Sequence, residues 1–356
     1  MSDRAPRRRA SRKRVAGALV AVAAAATAIG VYYATTTTPS AYDRAISYTQ
    51  TRAPFTATRT IPVATAAELE HALANLQPGD LVRATASFTV SGMTTISRRL
   101  SSWAVVDLTG HSVKFVNDGD RNFPAVWLKN PSYIRIYGGE TTTSGTGGTC
   151  ILAYGSQHVV WWGFTAHDCG GSGFSALTVD APVSHDDFQG TIWNVGQHLA
   201  WDPHREKGTG EHCAGEFADN GGGHAFTDNR FAFYCHDIPT GAGFAFGVKA
   251  PAVMTGNVLY LRAVNLTDVA EHQTGGNGVE LWGYTDKMGL DVKELEVSHA
   301  QGYGVFTGGV YQGQTCKGIT VEHATATNTN LNPRYANHDP WDRSCGAAYE
   351  NVTPPP

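Results

Sequence analysis

The sequence lacks several motifs that would identify a function at once. It contains no HExxH zinc-protease pattern, no phosphate-binding glycine-rich loop and no G-x-S-x-G serine elbow. Its six cysteines include no CxxC pair, which argues against a zinc site of paired thiolates. Charge is also scarce, at 16% of residues with a net charge of −4, so bulk electrostatics favours neither nucleic acid nor a strongly acidic polymer. We expect any ligand to be held by local chemistry.

Glycine, in contrast, is abundant, with 40 copies among 356 residues. Thr and Asn are also plentiful, and this composition favours an all-β, turn-rich architecture over a helical one. Because 42% of the residues are apolar, the chain can build a sizeable core in one or two domains.

The N-terminus indicates export. Six Arg and one Lys between Arg4 and Arg14 precede a nearly uncharged run from Val15 to Tyr33. This order is typical of a secretory signal peptide or an N-terminal membrane anchor, and the two remain alternatives. We assign residues 1–34 to this segment, 35–59 to a Thr/Ser/Pro-rich linker and 60–350 to the folded domain. The protein is expected to be secreted or anchored at the cell surface.

The cysteines agree with export, because all six follow the apolar segment and their number is even. Six cysteines permit fifteen connectivities. Pairing between sequence neighbours, Cys150 with Cys169 and Cys213 with Cys235, is the arrangement we favour.

The folded part opens with a capped amphipathic helix. Thr65 and Glu68 form a capping box, and Leu69, Leu73 and Leu76 make a short apolar stripe that ends before Pro78. Short strands follow, and this helix-then-strands order resembles the entry to right-handed parallel β-helix proteins of the pectin-lyase-like superfamily. The resemblance implies that the helix covers the open first coil; an ordinary surface helix before a β-sandwich is the alternative.

A repeated pattern of Gly followed by alternating apolar residues supports a solenoid. It begins at Gly148 in a looser form and then at Gly173, Gly215, Gly243, Gly278 and Gly304. The spacing fits one coil of a β-helix per repeat, with extra residues extending as loops. Second strands are predicted between the repeats, at residues 133–137, 158–162, 191–194, 257–261, 293–297 and 318–321.

Two repeats are oversized and carry the densest acid, base and polar groups. The first insertion contains four candidate acid/base or binding residues, namely His204, Glu206, Lys207 and His212. The second contains Glu271 and His272. We expect both insertions to flank one groove, although a surface loop with simple ion pairs is the alternative.

Strand alternation completes the candidate groove. Val279 and Leu281 should point inward, so Glu280 and Trp282 should point outward, as a carboxylate beside a sugar-stacking ring. At the Gly215 repeat, either Glu216 or Asp219 should face solvent. An outward carboxylate there would lie about 10 Å from Glu280, close to the separation in inverting hydrolases.

Two further clusters are weaker candidates. His236 and Asp237 follow Cys235 and are predicted to be a substrate-binding pair anchored by a disulfide. Asp186 and Asp187 form either a turn or a carboxylate pair that raises one pKa or binds calcium.

Enzymes of the resembled superfamily provide a partial comparison. Polygalacturonases carry paired Asp, a Gly-His-Gly turn and a later Arg-Ile-Lys; the Gly-His-Gly turn and the Arg are missing here, so that activity is not assigned. Pectate lyases use calcium and a basic residue, for which Lys249 or Arg262 is available, without a characteristic motif.

Three function classes follow. The leading hypothesis is an exported glycoside hydrolase acting on a polysaccharide through acid and base groups, acting as a monomer without a cofactor. The alternatives are a uronate-cleaving polysaccharide lyase, for which calcium is a possible cofactor, and a non-catalytic polysaccharide-binding protein.

Overall fold

A computed structural model describes residues 54–118, 123–144, 148–178, 181–196, 212–215, 224–239, 241–247, 253–267, 276–282, 289–307, 317–331, 336, 338–342, 344 and 346–353. The chain divides into two units, Met1–Ser40 and Ala41–Pro356. The first unit, with the predicted signal or anchor, lies outside the described residues. Within the described ranges, no helix is long and apolar enough to cross a membrane.

Parallel strands stack into two sheets. The eight-stranded sheet contains β4 (Thr94–Ile96), β7 (Val126–Lys129), β10 (Ile151–Tyr154), β12 (Phe174–Leu177), β15 (Ala214–Gly215), β18 (Phe244–Gly247), β21 (Val279–Trp282) and β23 (Val305–Thr307), stacked in chain order.

The 18-stranded sheet contains β1 (Arg59–Val63), β2 (Asp80–Ala84), β3 (Phe88–Ser91), β5 (Arg99–Asp107), β6 (Val113–Val116), β8 (Ser132–Tyr137), β9 (Glu140–Thr142), β11 (Gln157–His167), β13 (Val183–Ser184), β14 (Asp187–Trp193), β16 (Phe226–Thr227), β17 (Arg230–Ile238), β19 (Met254–Thr255), β20 (Asn257–Leu266), β22 (Leu290–Ala300), β24 (Ile319–Glu322), β25 (Ala324–Thr327) and β26 (Ala348–Glu350).

Each full coil contributes one strand to the eight-stranded sheet and then continues through the 18-stranded sheet before returning. β11 shows how one strand serves two parts of that sheet: its first half pairs with β8 and its second half with β9. The register shifts between Trp162 and Phe164, where Gly163 adopts a positive φ of 71°. The right-handed parallel β-helix predicted from the sequence is confirmed.

The helix α1 (Ala66–Ala74) has the predicted capping box, with Thr65 accepting from the Glu68 backbone and Glu68 accepting from the Thr65 backbone. Leu69 and Leu73 are buried, and the helix packs on β1, β3 and β4 at the start of the solenoid. Its apolar stripe therefore covers the first coil, as the sequence indicated.

A column of small inward positions explains the glycine repeat. A Cβ added to Gly173 would lie 2.2 Å from Ile192 Cγ2, and one added to Gly278 would lie 2.3 Å from Val297 Cγ2. The opposite strand approaches so closely that these coils accept only glycine here.

The register differs from the predicted alignment in two coils. Ile151 pairs with Phe174, and Phe174 pairs with Ala214, so Cys150 and Cys213 occupy the glycine position. The predicted starts at Gly148 and Gly215 are wrong by two residues. Because a two-residue shift preserves the side-chain alternation, the inward and outward assignments are unaffected.

Both favoured disulfides are confirmed. Cys150 bonds to Cys169 and Cys213 bonds to Cys235, and all four residues are fully buried. Each of these two coils therefore places a half-cystine where its neighbours place glycine. Cys316 and Cys345 lie outside the described residues.

Buried polar residues line the corner between β13 and β14 and its equivalents in the next coils. Asp186 accepts from the Ser156 hydroxyl (2.5 Å) and the Val159 backbone (2.7 Å). Asn229 continues the ladder by donating to Asn257 Oδ1 (2.9 Å). Burial raises the pKa of Asp186 to about 7, against the partly opposing hydrogen bonds.

This ladder predicts that the D186N substitution stabilises the protein at alkaline pH. Burial holds the folded-state pKa of Asp186 above the ordinary value of about 4 for an Asp carboxyl. The protonated Asp186 carboxyl therefore contributes its full stabilisation below about pH 4, and this stabilisation is lost as the pH rises to about 7. The free energy of unfolding lost over this range is on the order of 4 kcal/mol. Asn can accept from Val159 and donate to Ser156. Urea unfolding should show similar stabilities at pH 4 and a more stable variant at pH 8.

The half-exposed Asp291 provides the matched control, since D291N removes a carboxylate that is not enclosed. A D186N protein with the same pH dependence as the parent would contradict the proposed protonation of the buried carboxyl.

Candidate active site on the outer face of the eight-stranded sheet

One column of outward side chains runs along the eight-stranded sheet. The strand pairings place in it Thr95, Trp127, Leu152, Ser175, Gly215, Ala245, Glu280 and Phe306. The middle of the column has small side chains, and Ser175, Ala245 and Glu280 are buried although they point away from the core. The surface is therefore enclosed over this stretch.

Glu280 belongs to a hydrogen-bonded network that we call the Glu280 network, comprising Glu280, Asn277, Tyr303 and His338. Asn277 Nδ2 donates to Glu280 Oε1 (2.8 Å), and the Tyr303 backbone N–H donates to Asn277 Oδ1 (2.7 Å). The Tyr303 hydroxyl lies 2.5 Å from His338 Nδ1. A buried carboxylate is thus connected to a phenol–imidazole pair.

The network extends from buried to exposed positions. Glu280 and Asn277 are each 2% exposed, and Tyr303 is 8% exposed, whereas His338 is exposed. Glu280 does point away from Val279 and Leu281, which lie in the core. The predicted solvent exposure of Glu280 is wrong, because the turn residue Asn277 hydrogen-bonds its carboxylate and the surrounding surface is enclosed.

His212 lies at the edge of the same sheet, directly before β15. Its Nδ1 accepts from the Ala242 backbone N–H (3.2 Å), and its backbone N–H donates to the Ser172 hydroxyl (3.2 Å). A Cβ added to Gly215 would lie 3.1 Å from His212 Cδ2, so glycine leaves room for the imidazole. The backbone pairings place His212 three strand spacings from Tyr303, roughly 14 Å.

The structure positions few of the other predicted groove residues. His204, Glu206, Lys207, Glu216, Asp219, Glu271 and His272 lie outside the described residues, as does Lys249. Trp282 is the last residue of β21 and pairs with Gly247, but its side chain also lies outside the described part. Their assignment to the site stays a prediction.

His236 and Asp237 lie elsewhere, on β17 of the 18-stranded sheet. His236 stacks on Trp193 with ring centroids 5.3 Å apart, and its Nδ1 lies 2.8 Å from Asp237 Oδ2. Asn265 donates to Asp237 Oδ1 (2.9 Å) at the next corner. Hydrogen bonds from His236 and Asn265 lower the pKa of Asp237. This pair belongs to a corner ladder and is not brought to the Glu280 network.

Asp186 and Asp187 do not form a joint calcium site. Asp186 is buried in the corner ladder, whereas Asp187 accepts from Arg230 (3.2 Å) on the outer side of β14. Burial raises the pKa of Asp187, and the charge of Arg230 opposes this. Strand alternation sends the two carboxylates to opposite sides. Among the described residues, no group of three or more His, Cys, Asp or Glu is arranged to hold a metal ion.

Arg262 also lies away from the groove. On β20 it contacts Glu296 (3.3 Å) and covers the Tyr234 ring (5.0 Å). Its availability as a lyase base at the eight-stranded sheet is therefore not supported.

Sequence reasoning missed Asn277, Tyr303 and His338. Asn277 and Tyr303 each directly precede a repeat glycine, Gly278 and Gly304, and occupy equivalent positions in successive coils. This shared position was a usable signal. His338 comes from the C-terminal segment, and no periodicity relates it to Tyr303.

No protein-family model matches the sequence, and no curated protein is significantly similar to it. Among solved structures, an alginate lyase from Paenibacillus sp. str. FPU-7 is similar, with a TM-score of 0.51 and 16% identity over 83% of this chain and 100% of that one. The pectate lyase Pel9A has a TM-score of 0.35 and 12% identity over 79% and 82%. ORF18 of Geobacillus virus E2 has a TM-score of 0.44 and 9% identity over 82% and 60%. The chain thus shares the parallel β-helix fold anticipated from the pectin-lyase-like resemblance.

The Glu280 network predicts a large stability loss for N277A. Removing the amide leaves the Glu280 carboxylate and the Tyr303 N–H without these partners, so we expect a loss of about 2–4 kcal/mol. The matched control is N75A, because the Asn75 side chain makes a single exposed bond to the His71 carbonyl. Chemical denaturation should show a loss below about 1 kcal/mol for the control. Equal losses in both variants would contradict the network.

Proposed function

We propose that this protein is an exported polysaccharide lyase that cleaves a uronic-acid polymer by β-elimination. The observation that carries the proposal is the Tyr303–His338 pair (2.5 Å) at the edge of the eight-stranded sheet. A phenol hydrogen-bonded to an imidazole can pass a proton to or from a bound substrate. The pair is joined through Asn277 to Glu280, which holds it against the sheet.

β-Elimination requires a base and a proton donor that are correctly positioned against the substrate. A base removes the proton from C5 of the uronate, next to its carboxyl group. The electron pair forms the C4–C5 double bond while the C4–O bond breaks, and the departing glycosidic oxygen takes up a proton. We assign proton transfer to Tyr303 and His338, and positioning to Asn277 and Glu280. Lys249 and Lys207 are the candidates for neutralising the uronate carboxylate.

The described groups favour elimination over hydrolysis. A hydrolase of the usual kind needs two carboxylates flanking the scissile bond. Among the described outward residues of the eight-stranded sheet, Glu280 is the single carboxylate. The glycoside hydrolase hypothesis would therefore require a second acid from Glu206, Glu216 or Asp219.

Two further findings support the proposal. The alginate lyase of similar fold acts, by its name, on a polymer of uronic acids. The two disulfides are typical of proteins that reach an oxidising compartment, as an enzyme of extracellular polysaccharides must.

The test is to incubate the full chain with alginate, polygalacturonate and neutral glucans while recording new reducing ends and ultraviolet absorbance. Elimination yields both signals in proportion, because each cleavage creates an absorbing unsaturated end. Reducing ends without absorbance would show hydrolysis instead. Binding without any cleavage across the panel would leave only the polysaccharide-binding alternative.

Y303F should lower kcat on the cleaved polymer by about 10²–10⁴-fold, because the variant keeps the ring but loses the proton. The matched control is Y260F, since Tyr260 lies on the other sheet beneath the Arg230 guanidinium (4.8 Å). Steady-state kinetics should show the control within about twofold of the parent. A Y303F enzyme with parental kcat would remove Tyr303 from the mechanism.

A further inference from the structure

Three basic residues lie where the first coils leave the eight-stranded sheet, since Arg98 follows β4, Arg99 begins β5 and Lys129 ends β7. Six other cations, all on the 18-stranded sheet, contact carboxylates, in the pairs Arg59–Asp80, Arg83–Asp107, Lys114–Glu140, Arg230–Asp187, Arg262–Glu296 and Lys293–Glu322. Arg98, Arg99 and Lys129 form no ion pair with any described residue. Within the described part of the chain, these three positive charges thus have no carboxylate partner.

Two of these cations line a cavity. A pocket of about 520 Å³ lies between helix α1 and the end of β4, and it is lined by Leu73, Ala74, Thr95, Ser97, Arg98 and Arg99. The arginines are held in place by backbone carbonyls, since Arg98 Nε donates to Leu76 (3.2 Å) and Arg99 Nε to Asn130 (3.3 Å). Guanidinium groups fixed at the wall of a polar cavity are suited to bind a carboxylate.

The third cation extends the surface along the sheet. Lys129 Nζ lies 4.7 Å from the centre of the Trp127 ring, and Tyr154 meets that ring edge-on at 6.1 Å. The strand register places Ser97, Lys129 and Tyr154 in one column. Aromatic rings beside hydrogen-bonding groups are typical of sugar-binding surfaces.

We propose that Arg98, Arg99, Lys129 and Trp127 form a distal subsite that binds the carboxylate-bearing units of an acidic polysaccharide. It deepens the proposed function, because the same polymer would continue to the Glu280 network. Six strand spacings of about 4.8 Å, or roughly 29 Å, separate Thr95 from Glu280 along the sheet. The subsite therefore acts on long chains and not on di- or trisaccharides.

The binding test is affinity electrophoresis of the full chain in native gels containing polygalacturonate or alginate. The double variant R99Q/K129Q should bind the acidic polymer at least fivefold more weakly than the parent, and retardation should decrease as salt is added. Unchanged retardation of the double variant, or no retardation of the parent by either polymer, would overturn the subsite.

The matched control is R135Q. Arg135 also covers an indole ring, that of Trp103 (4.3 Å), but it lies on the 18-stranded sheet. The R135Q variant should bind the acidic polymer with an affinity within about twofold of that of the parent. An effect equal to that of R99Q/K129Q would show that the gel reports bulk charge and would overturn the subsite.

Kinetics separate this proposal from the proposed function. On a polymer that the parent cleaves, R99Q/K129Q should raise KM at least fivefold with kcat unchanged, and should cleave trisaccharides as the parent does. Equal loss on short and long substrates would contradict a distal role. If the parent cleaves nothing, the proposed elimination fails, while the electrophoresis still decides the subsite.

Discussion

The in-register stacking of parallel coils is the constraint on which the rest of the structure depends. Backbone hydrogen bonds join each coil to the next at a spacing of about 4.8 Å, so residues at equivalent positions form columns along the molecule. Residues in one column therefore share the same surroundings and need similar side chains. The corner ladder of Asp186, Asn229 and Asn257 satisfies buried polar groups, and the glycine column admits the opposite strand.

The same constraint gives the two disulfides their place. Cys150 and Cys213 occupy positions where Gly173, Gly243 and Gly278 lie against the opposite wall. A cysteine there has no room for an ordinary side-chain contact, but Cys213 can bond to Cys235 on the facing strand. The disulfide thus joins the two sheets at a position where neighbouring coils have glycine.

The repeat, the capped helix and the neighbouring disulfide pairs could be predicted because each is a local signal in the sequence. The register of two coils could not be predicted. In these coils Cys150 and Cys213 occupy the glycine position, while Gly148 and Gly215, two residues away, also fit the repeat pattern. The outward direction of Glu280 follows from strand alternation. The burial of Glu280 does not follow from alternation, because the burial depends on Asn277 in the preceding turn and on the enclosed surface. The role of His338 could not be predicted from the sequence, since its contact with Tyr303 joins segments 35 residues apart.

We propose that substrate binds the outer face of the eight-stranded sheet, between the basic end formed by Arg98, Arg99 and Lys129 and the Glu280 network. The most direct measurement is a crystal structure of the Y303F variant with a bound oligouronate. We predict sugar units on the face of the sheet between Trp127 with Lys129 at one end and the Glu280 network at the other, with one unit within hydrogen-bond distance of His338. Density lying instead against Trp193 and His236 on the 18-stranded sheet would contradict this account.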